Sequence, residues 1–162
     1  MNVVADASVL IALSAIDELP LLPALFPAGI LVPDAAWKEV VEAGGDRPGA
    51  RQLAQATWVQ VRRTTRIDLV RLLQTNLDDG EAEAIALAQE TKADLVLLDE
   101  RDARRAAEEL GIPVLGSIGV LLRSKQAGRI SSLRTALDRL QTDGHFRVSS
   151  HLYARVLREA GE

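Results

Sequence analysis

Short unbroken apolar runs alternate along this chain with longer segments whose apolar residues recur every three or four positions. The runs at residues 2–5, 30–32, 58–61, 95–98 and 113–115 are rich in Val, Ile and Leu and lack strict alternation, the pattern of strands covered on both faces. Between them the helical period predicts helices over 8–14, 19–25, 34–43, 50–56, 67–74, 79–91, 100–110, 118–126, 133–140 and 149–159. Gly44-Gly45, Gly111 and Gly128 supply helix stops, and Pro33 and Pro113 mark strand edges. Strand alternating with helix predicts an α/β fold, a central parallel sheet with helices on both faces. No internal repeat or low-complexity linker interrupts the chain. Residues 1–162 are therefore expected to form one domain, with the helices from about residue 130 as an appended element. The glycine-rich residues 44–49 are the one segment expected to be mobile.

In such a sheet, ligands bind outside the carboxyl ends of the strands. The first strand runs into Asp6 and the strongest interior strand into Asp99, so two strands deliver a carboxylate to that edge. Each acid has a structural alternative. Asp6 can cap the following helix, a task open to Ser8 as well, and Asp99 can cap its helix with Asp102 as reciprocal partner. Glu39 shares a helical face with Ala36, Val40 and Ala43 and has no basic neighbour one turn away; an acid so placed calls for a counter-charge. Glu42, four residues after Lys38, reads as a surface ion pair. At the start of the Ala-rich helix over 79–91, Glu81 shares its face with Ala84, Ile85 and Ala88, and Glu83 points about 200° away around the axis. Glu81 is the better candidate and Glu83 the alternative. Arg101, Arg104 and Arg105 stand at helical spacing from Glu108 and Glu109 and read as a solvated face.

Composition narrows the chemistry. The 162 residues include no cysteine, which excludes thiolate metal sites and a cysteine nucleophile, and only two histidines, His145 and His151, both in the C-terminal tail. Asp6, Glu39, Glu81 and Asp99 therefore define a hard-oxygen site suited to Mg²⁺ or Mn²⁺ rather than Zn²⁺. Neither a phosphate-binding glycine loop nor a Gly-x-Ser-x-Gly elbow is present, so hydrolysis would depend on metal-activated water. Net charge is −4, but residues 1–100 carry 8 basic and 16 acidic side chains whereas residues 101–162 carry 11 and 7. That asymmetry fits an acidic pocket beside a surface for a polyanion. Aromatic residues, at 3%, are too few for a base-stacking platform. The N-terminus has no basic region before its apolar run, and no stretch approaches about 20 apolar residues; a cytoplasmic protein with no membrane partner is expected.

These residues resemble a known family. Val3-Val4-Ala5-Asp6-Ala7-Ser8-Val9-Leu10-Ile11, Val32-Pro33 with Glu39-Val40, the Gly80-Glu81-Ala82-Glu83-Ala84-Ile85-Ala86-Leu87-Ala88 helix and Leu95-Val96-Leu97-Leu98-Asp99-Glu100 look like a PIN-domain protein. Gly111-Ile112-Pro113-Val114, Gly119-Val120-Leu121-Leu122, Lys125, Gly128-Arg129-Ile130 and the tail resemble a prokaryotic PIN branch catalogued as a domain of unknown function. The resemblance implies a PIN-like fold and a Mg²⁺- or Mn²⁺-dependent endoribonuclease holding one or two ions. It further implies RNA products with 5′-phosphate and 3′-hydroxyl ends, and many such proteins are the toxin of a VapBC-type toxin–antitoxin pair. It places Asp6, Glu39, Glu81 and Asp99 on the family's acidic quartet, as catalytic residues and metal ligands, and Ser8 on its hydroxyl position. Glu83 and Asp102 stand beside them in support. Leu97 departs from the Thr or Ser that many relatives carry two residues before the last acid, which leaves the number of ions open.

RNA is then the expected partner, with Arg123, Lys125 and Arg129 as candidate phosphate contacts; a small antitoxin protein and a homodimer are left open. The main rival is a catalytically inactive PIN-fold module acting through a protein partner. A receiver-like phosphoacceptor domain is a weaker one, because Asp6-Ala7-Ser8 and Leu115-Gly116-Ser117 lack its paired acids and its lysine.

Overall fold

Each of the five apolar runs forms a strand: β1 (Val3–Ala5), β2 (Ile30–Pro33), β3 (Val59–Arg62), β4 (Leu95–Leu97) and β5 (Val114–Leu115). In this computed structural model, which describes residues 1–162 apart from the side chain of residue 48, they build one parallel sheet in the order β3-β2-β1-β4-β5. The chain lays β1, β2 and β3 outward to one side and then returns to place β4 and β5 on the other. The order thus reverses between β1 and β4, where Val3, Val4 and Ala5 pair with Leu95, Val96 and Leu97. That reversal opens a crevice at the carboxyl ends of the two central strands.

Side chains along β1 and β4 alternate between two cores, as successive residues of a strand must. Val3, Ala5, Leu95 and Leu97 face α1 (Ala7–Ala15), α2 (Leu21–Leu25), α8 (Ser117–Gln126), α9 (Leu133–Thr142) and α10 (Ser150–Glu159). Val4, Val96 and Leu98 face α6 (Asp79–Thr91) and α7 (Arg101–Glu109), and α5 (Ile67–Leu73) packs its Leu69 and Val70 on Ala82 and Ala86 of α6. Helices on both faces explain why the central strands β1 and β4 are apolar throughout, whereas the edge strand β3 carries Gln60 and Arg62 and is mostly exposed. The C-terminal pair is integral to the first core, to which it supplies Leu133, Leu137, Leu140, Val156 and Leu157. Of residues 44–49, expected to be mobile, the first three belong to a turn over 43–46 and the last two open α4 (Pro48–Ala54), whose Leu53 is buried.

One helix departs from its sequence pattern. Residues 34–43 read as a single α-helix, but α3 (Asp34–Trp37) passes into a π-helical turn, Lys38–Glu42, in which the Ala43 N–H reaches back to the Lys38 carbonyl. The wider turn moves every later residue around the axis. Ala36 and Val40 stay buried, whereas Ala43, expected on the same face, is exposed. Such turns are rare and often sit at functional sites; this one carries Glu39. No described helix is long and apolar enough to cross a membrane.

Candidate functional site

Asp6 follows the last residue of β1, and its N–H donates to the Leu97 carbonyl of β4 at 3.1 Å, which places it at the crevice. Its two oxygens have separate fates. Oδ2 accepts the Ser8 N–H at 3.3 Å and caps α1. Oδ1 is buried without a hydrogen-bond partner. Burial pushes the Asp6 carboxyl above its ordinary value, against the hydrogen bonds from Ser8 and the Ala7 and Ser8 backbone, and the nearby Asp78 charge adds to the rise. Capping and site roles therefore coexist on one side chain, one per oxygen.

The unpartnered oxygen faces Gly80. A Cβ on that residue would lie 3.0 Å from Asp6 Oδ1, 3.5 Å from Glu39 Oε2 and 3.6 Å from Asp78 Oδ1. Three carboxylates from β1, the π-turn and the start of α6 thus converge on a space kept open by the missing side chain. Glu39 remains accessible to solvent, and partial burial together with the charges of Asp6 and Asp78 raises its carboxyl above the ordinary range. Asp78 carries no functional signal in the sequence, where an acid before a helix reads as a cap. It is a cap: its Oδ1 accepts the Glu81 N–H at 2.8 Å while Glu81 Oε2 accepts the Asp78 N–H at 3.1 Å. The same oxygen borders the shared space.

Glu81 and Glu83 separate as the helical geometry requires. Glu81 is buried beside Asp6, and desolvation, with further rises from Asp78, Asp6 and Glu100, pushes its carboxyl up to about 7 against the bond from the Asp78 backbone. Glu83 turns away and accepts the Ala35 N–H at 2.7 Å, tying α6 to α3. The small buried residues Gly80, Ala82, Ala84, Ala86 and Ala88 let α6 lie close to its neighbours. The positive end of its macrodipole is thereby brought to the acids.

A stability test follows from Glu81. A carboxyl whose value is 4.5 when unfolded and about 7 when folded binds a proton more tightly in the native state, so its contribution is complete below pH 4.5 and lost as pH rises through 7. Glu81→Gln keeps the capping box, because Gln serves equally at that position, and removes the titration. Thermal melts in chelator should show the parent losing stability between about pH 4.5 and 7 and the variant losing distinctly less. Parallel pH profiles for the two proteins would mean that Glu81 is not the strained acid.

Asp99 lies on the far side of Ser8. Its N–H donates to Ser8 Oγ at 3.4 Å, and its carboxylate accepts both the backbone N–H and the hydroxyl of Ser117 at 2.6 Å. Gly116 makes this approach feasible, since a Cβ there would come within 2.9 Å of Asp99 Oδ1. Burial raises the Asp99 carboxyl, and Ser117 and Arg104 oppose the rise. The alternative of Asp99 capping α7 with Asp102 is not realised: Glu100 is the N-cap residue and Asp102 is exposed in the first turn. Arg104 is also not a purely solvated side chain, because its Nη1 donates to the Leu98 carbonyl at 3.1 Å.

The structure does not bring Arg123, Lys125 or Arg129 to the acids. Ser117 starts α8 at the acidic edge, and Arg123, six residues on, is about 9 Å farther along the axis. Lys125 donates to the Ser131 carbonyl and pairs with Glu162 at 3.5 Å, a structural tie in which Glu162 also accepts the Leu133 N–H at the start of α9.

Oxygen donors, a buried carboxylate oxygen with no partner and a cradle that a Cβ would fill fit a hard divalent cation. Among the described residues, no group of three or more acids is placed closely enough to hold a metal ion as it stands. A family model described as a PIN domain matches residues 2–162. Among solved structures, the chain is similar to a PilT N-terminus domain protein from the hyperthermophilic archaeon Sulfolobus solfataricus P2, with 22% identity and a TM-score of 0.56 over 76% of this chain and 93% of that one. At that identity the likeness concerns the fold. No curated protein matches the sequence.

Proposed function

This chain belongs to the PIN-domain family, and from that premise we propose that it is a divalent-metal-dependent endoribonuclease. Its family points to nuclease chemistry; the finer reading is supported above all by Asp6 Oδ1, buried, unpartnered and turned with Glu39 and Asp78 onto the space over Gly80. These three residues would hold Mg²⁺ or Mn²⁺, with Glu81 beside them and Asp99 closing the acidic wall across Ser8. When bound, the ion acidifies an attacking water and neutralises charge on the scissile phosphate and the departing 3′ oxygen. The chain's own part is orientation. Ser8 spaces Asp6 from Asp99, the bond between Asp78 and Glu81 fixes the start of α6, and Ser117 holds Asp99. Cleavage at the 3′ oxygen leaves 5′-phosphate and 3′-hydroxyl ends. A toxin acting against RNA and restrained by a small antitoxin protein is one cellular setting for this activity, and growth arrest on expression is the readout that tests it.

One observation favours the rival reading of an inactive module working through a protein partner: both Asp99 oxygens are committed to Ser117. Metal titration separates the two. Generic single-stranded RNA should be cleaved with Mn²⁺ or Mg²⁺, spared after chelation, and not cleaved when Zn²⁺ replaces them, because the donors are all hard oxygens. No cleavage under any metal, with no metal-induced rise in Tm, would favour the module; undiminished cleavage in chelator would eliminate the metal from the mechanism.

A further inference from the structure

Beyond Asp99 lies a groove that the acidic site does not use. It has a volume of about 1200 Å³ and is bordered by α7, α8 and α10, with Asp99 and Gly116 among its lining. Arg101, Arg104, Arg105, Arg147 and Arg155 line it against the acids Asp99, Glu108 and Glu159, a local excess of positive charge on a chain that is net negative. Half-buried Ile118, Leu122 and Phe146 supply apolar surface between them. Arg105 and Arg155 make exposed ion pairs with Glu109 and Glu159, and Arg104 is held by the Leu98 carbonyl. Arg101 and Arg147 are exposed and, among the described residues, make no ion pair.

We propose that this groove is the track along which single-stranded RNA approaches the acidic edge, with phosphates on Arg101 and Arg147 and a base against Phe146. The proposal rests on the ribonuclease reading and moves strand binding away from Arg123, Lys125 and Arg129. Charge and continuity carry it. Arginine on the rim suits a polyanionic backbone, since affinity for nucleic acid is chiefly electrostatic, and one aromatic face accepts any base. The groove is also connected to the site. Asp99 is part of its wall, the Asp99 N–H donates to Ser8 Oγ, and the Ser8 N–H donates to Asp6. A strand in the groove therefore meets Asp99 first and the space over Gly80 next.

The test is binding of a short fluorescent single-stranded RNA of mixed sequence, measured against salt in chelator so that nothing is cut. Arg101→Ala/Arg147→Ala should weaken binding several-fold at low salt and lower the log–log salt slope by about 1.4, two contacts at about 0.7 each for a single strand. Arg101→Lys/Arg147→Lys, which keeps the charge, should restore most of the binding, and Arg123→Ala/Arg129→Ala should bind as the parent does. All four positions are exposed or lie outside the core, and melts with unchanged Tm verify the fold. Full binding by the first variant, or an equal or greater loss in the Arg123/Arg129 variant, overturns the groove while leaving the parent's metal-dependent cleavage, and hence the ribonuclease reading, intact. A parent that neither binds nor cuts RNA overturns both. A parent that ignores RNA but binds a poly-glutamate peptide through Arg101 and Arg147 assigns the groove to an acidic protein and likewise overturns the proposal.

Discussion

Asp6→Asn should lower metal-dependent RNA cleavage by at least about 100-fold and leave the metal-free protein as stable as its parent or more so. The two effects separate because the two oxygens of Asp6 do different work. Asn retains an oxygen that can accept the Ser8 N–H, and Asn is as good an N-cap as Asp, so α1 keeps its start. What disappears is the charge on a buried oxygen without a partner, an arrangement that costs about 1–3 kcal/mol and is worsened by the neighbouring Asp78. Metal sensitivity should disappear with it. At a concentration about 100 times its Kd, Mn²⁺ stabilises the parent by about 2.7 kcal/mol, which for a chain of this size raises Tm by roughly 5–10 °C. Melts of both proteins in chelator and in Mn²⁺ make the comparison. A variant that is destabilised to the same extent with and without metal, beside a parent that does not respond to Mn²⁺, would show Asp6 to be a helix cap and nothing more.

Gly80→Ala should cost about as much activity, of order 100-fold, by a different route. It changes no charge and removes no donor. The new methyl group would stand 3.0 Å from Asp6 Oδ1 and 3.5 Å from Glu39 Oε2, inside the space the three carboxylates share. The Leu97 carbonyl holds only the Asp6 backbone, so a small turn of the Asp6 carboxylate away from the shared space relieves the contact while spoiling its alignment with Glu39 and Asp78. The backbone of Gly80 is ordinary helix with no positive φ, and alanine is the better helix former; metal-free stability should stay within about 1 kcal/mol of the parent. Tm in chelator should therefore barely move while the gain on adding Mn²⁺ shrinks sharply. A variant that keeps the parent's full response to Mn²⁺ would place the ion elsewhere.

How much of this site is legible in the sequence differs from residue to residue. The alternation of apolar runs and amphipathic segments contains all five strands and ten helical segments, because burial on two faces imposes one residue pattern and burial on a single face another. Asp6 and Asp99 are readable for the same reason, an acid at the end of a buried strand being costly without a purpose. The choice between Glu81 and Glu83 follows from 3.6 residues per turn: one is buried beside Asp6 and the other caps α3. Asp78 was hidden by its own capping box, a local explanation that looks sufficient until the fold sets a second carboxylate, from another segment, against the same oxygen.

The sequence by itself determined the elements, the parallel α/β class and the supply of acids with no nitrogen or sulfur ligand to compete with them, since all of these follow from local periodicity and composition. Only the tertiary structure decided which acids meet. The neighbouring places of β1 and β4, the meeting of Glu39 with Asp6 and Asp78, the empty volume over Gly80, the capture of Asp99 by Ser117 and the gathering of Arg101 and Arg147 into one groove all depend on contacts between segments far apart in the chain. Local propensity specifies how a segment folds but not which partner it packs against. That choice comes from burying both faces of the sheet at once, a constraint that acts on the whole chain.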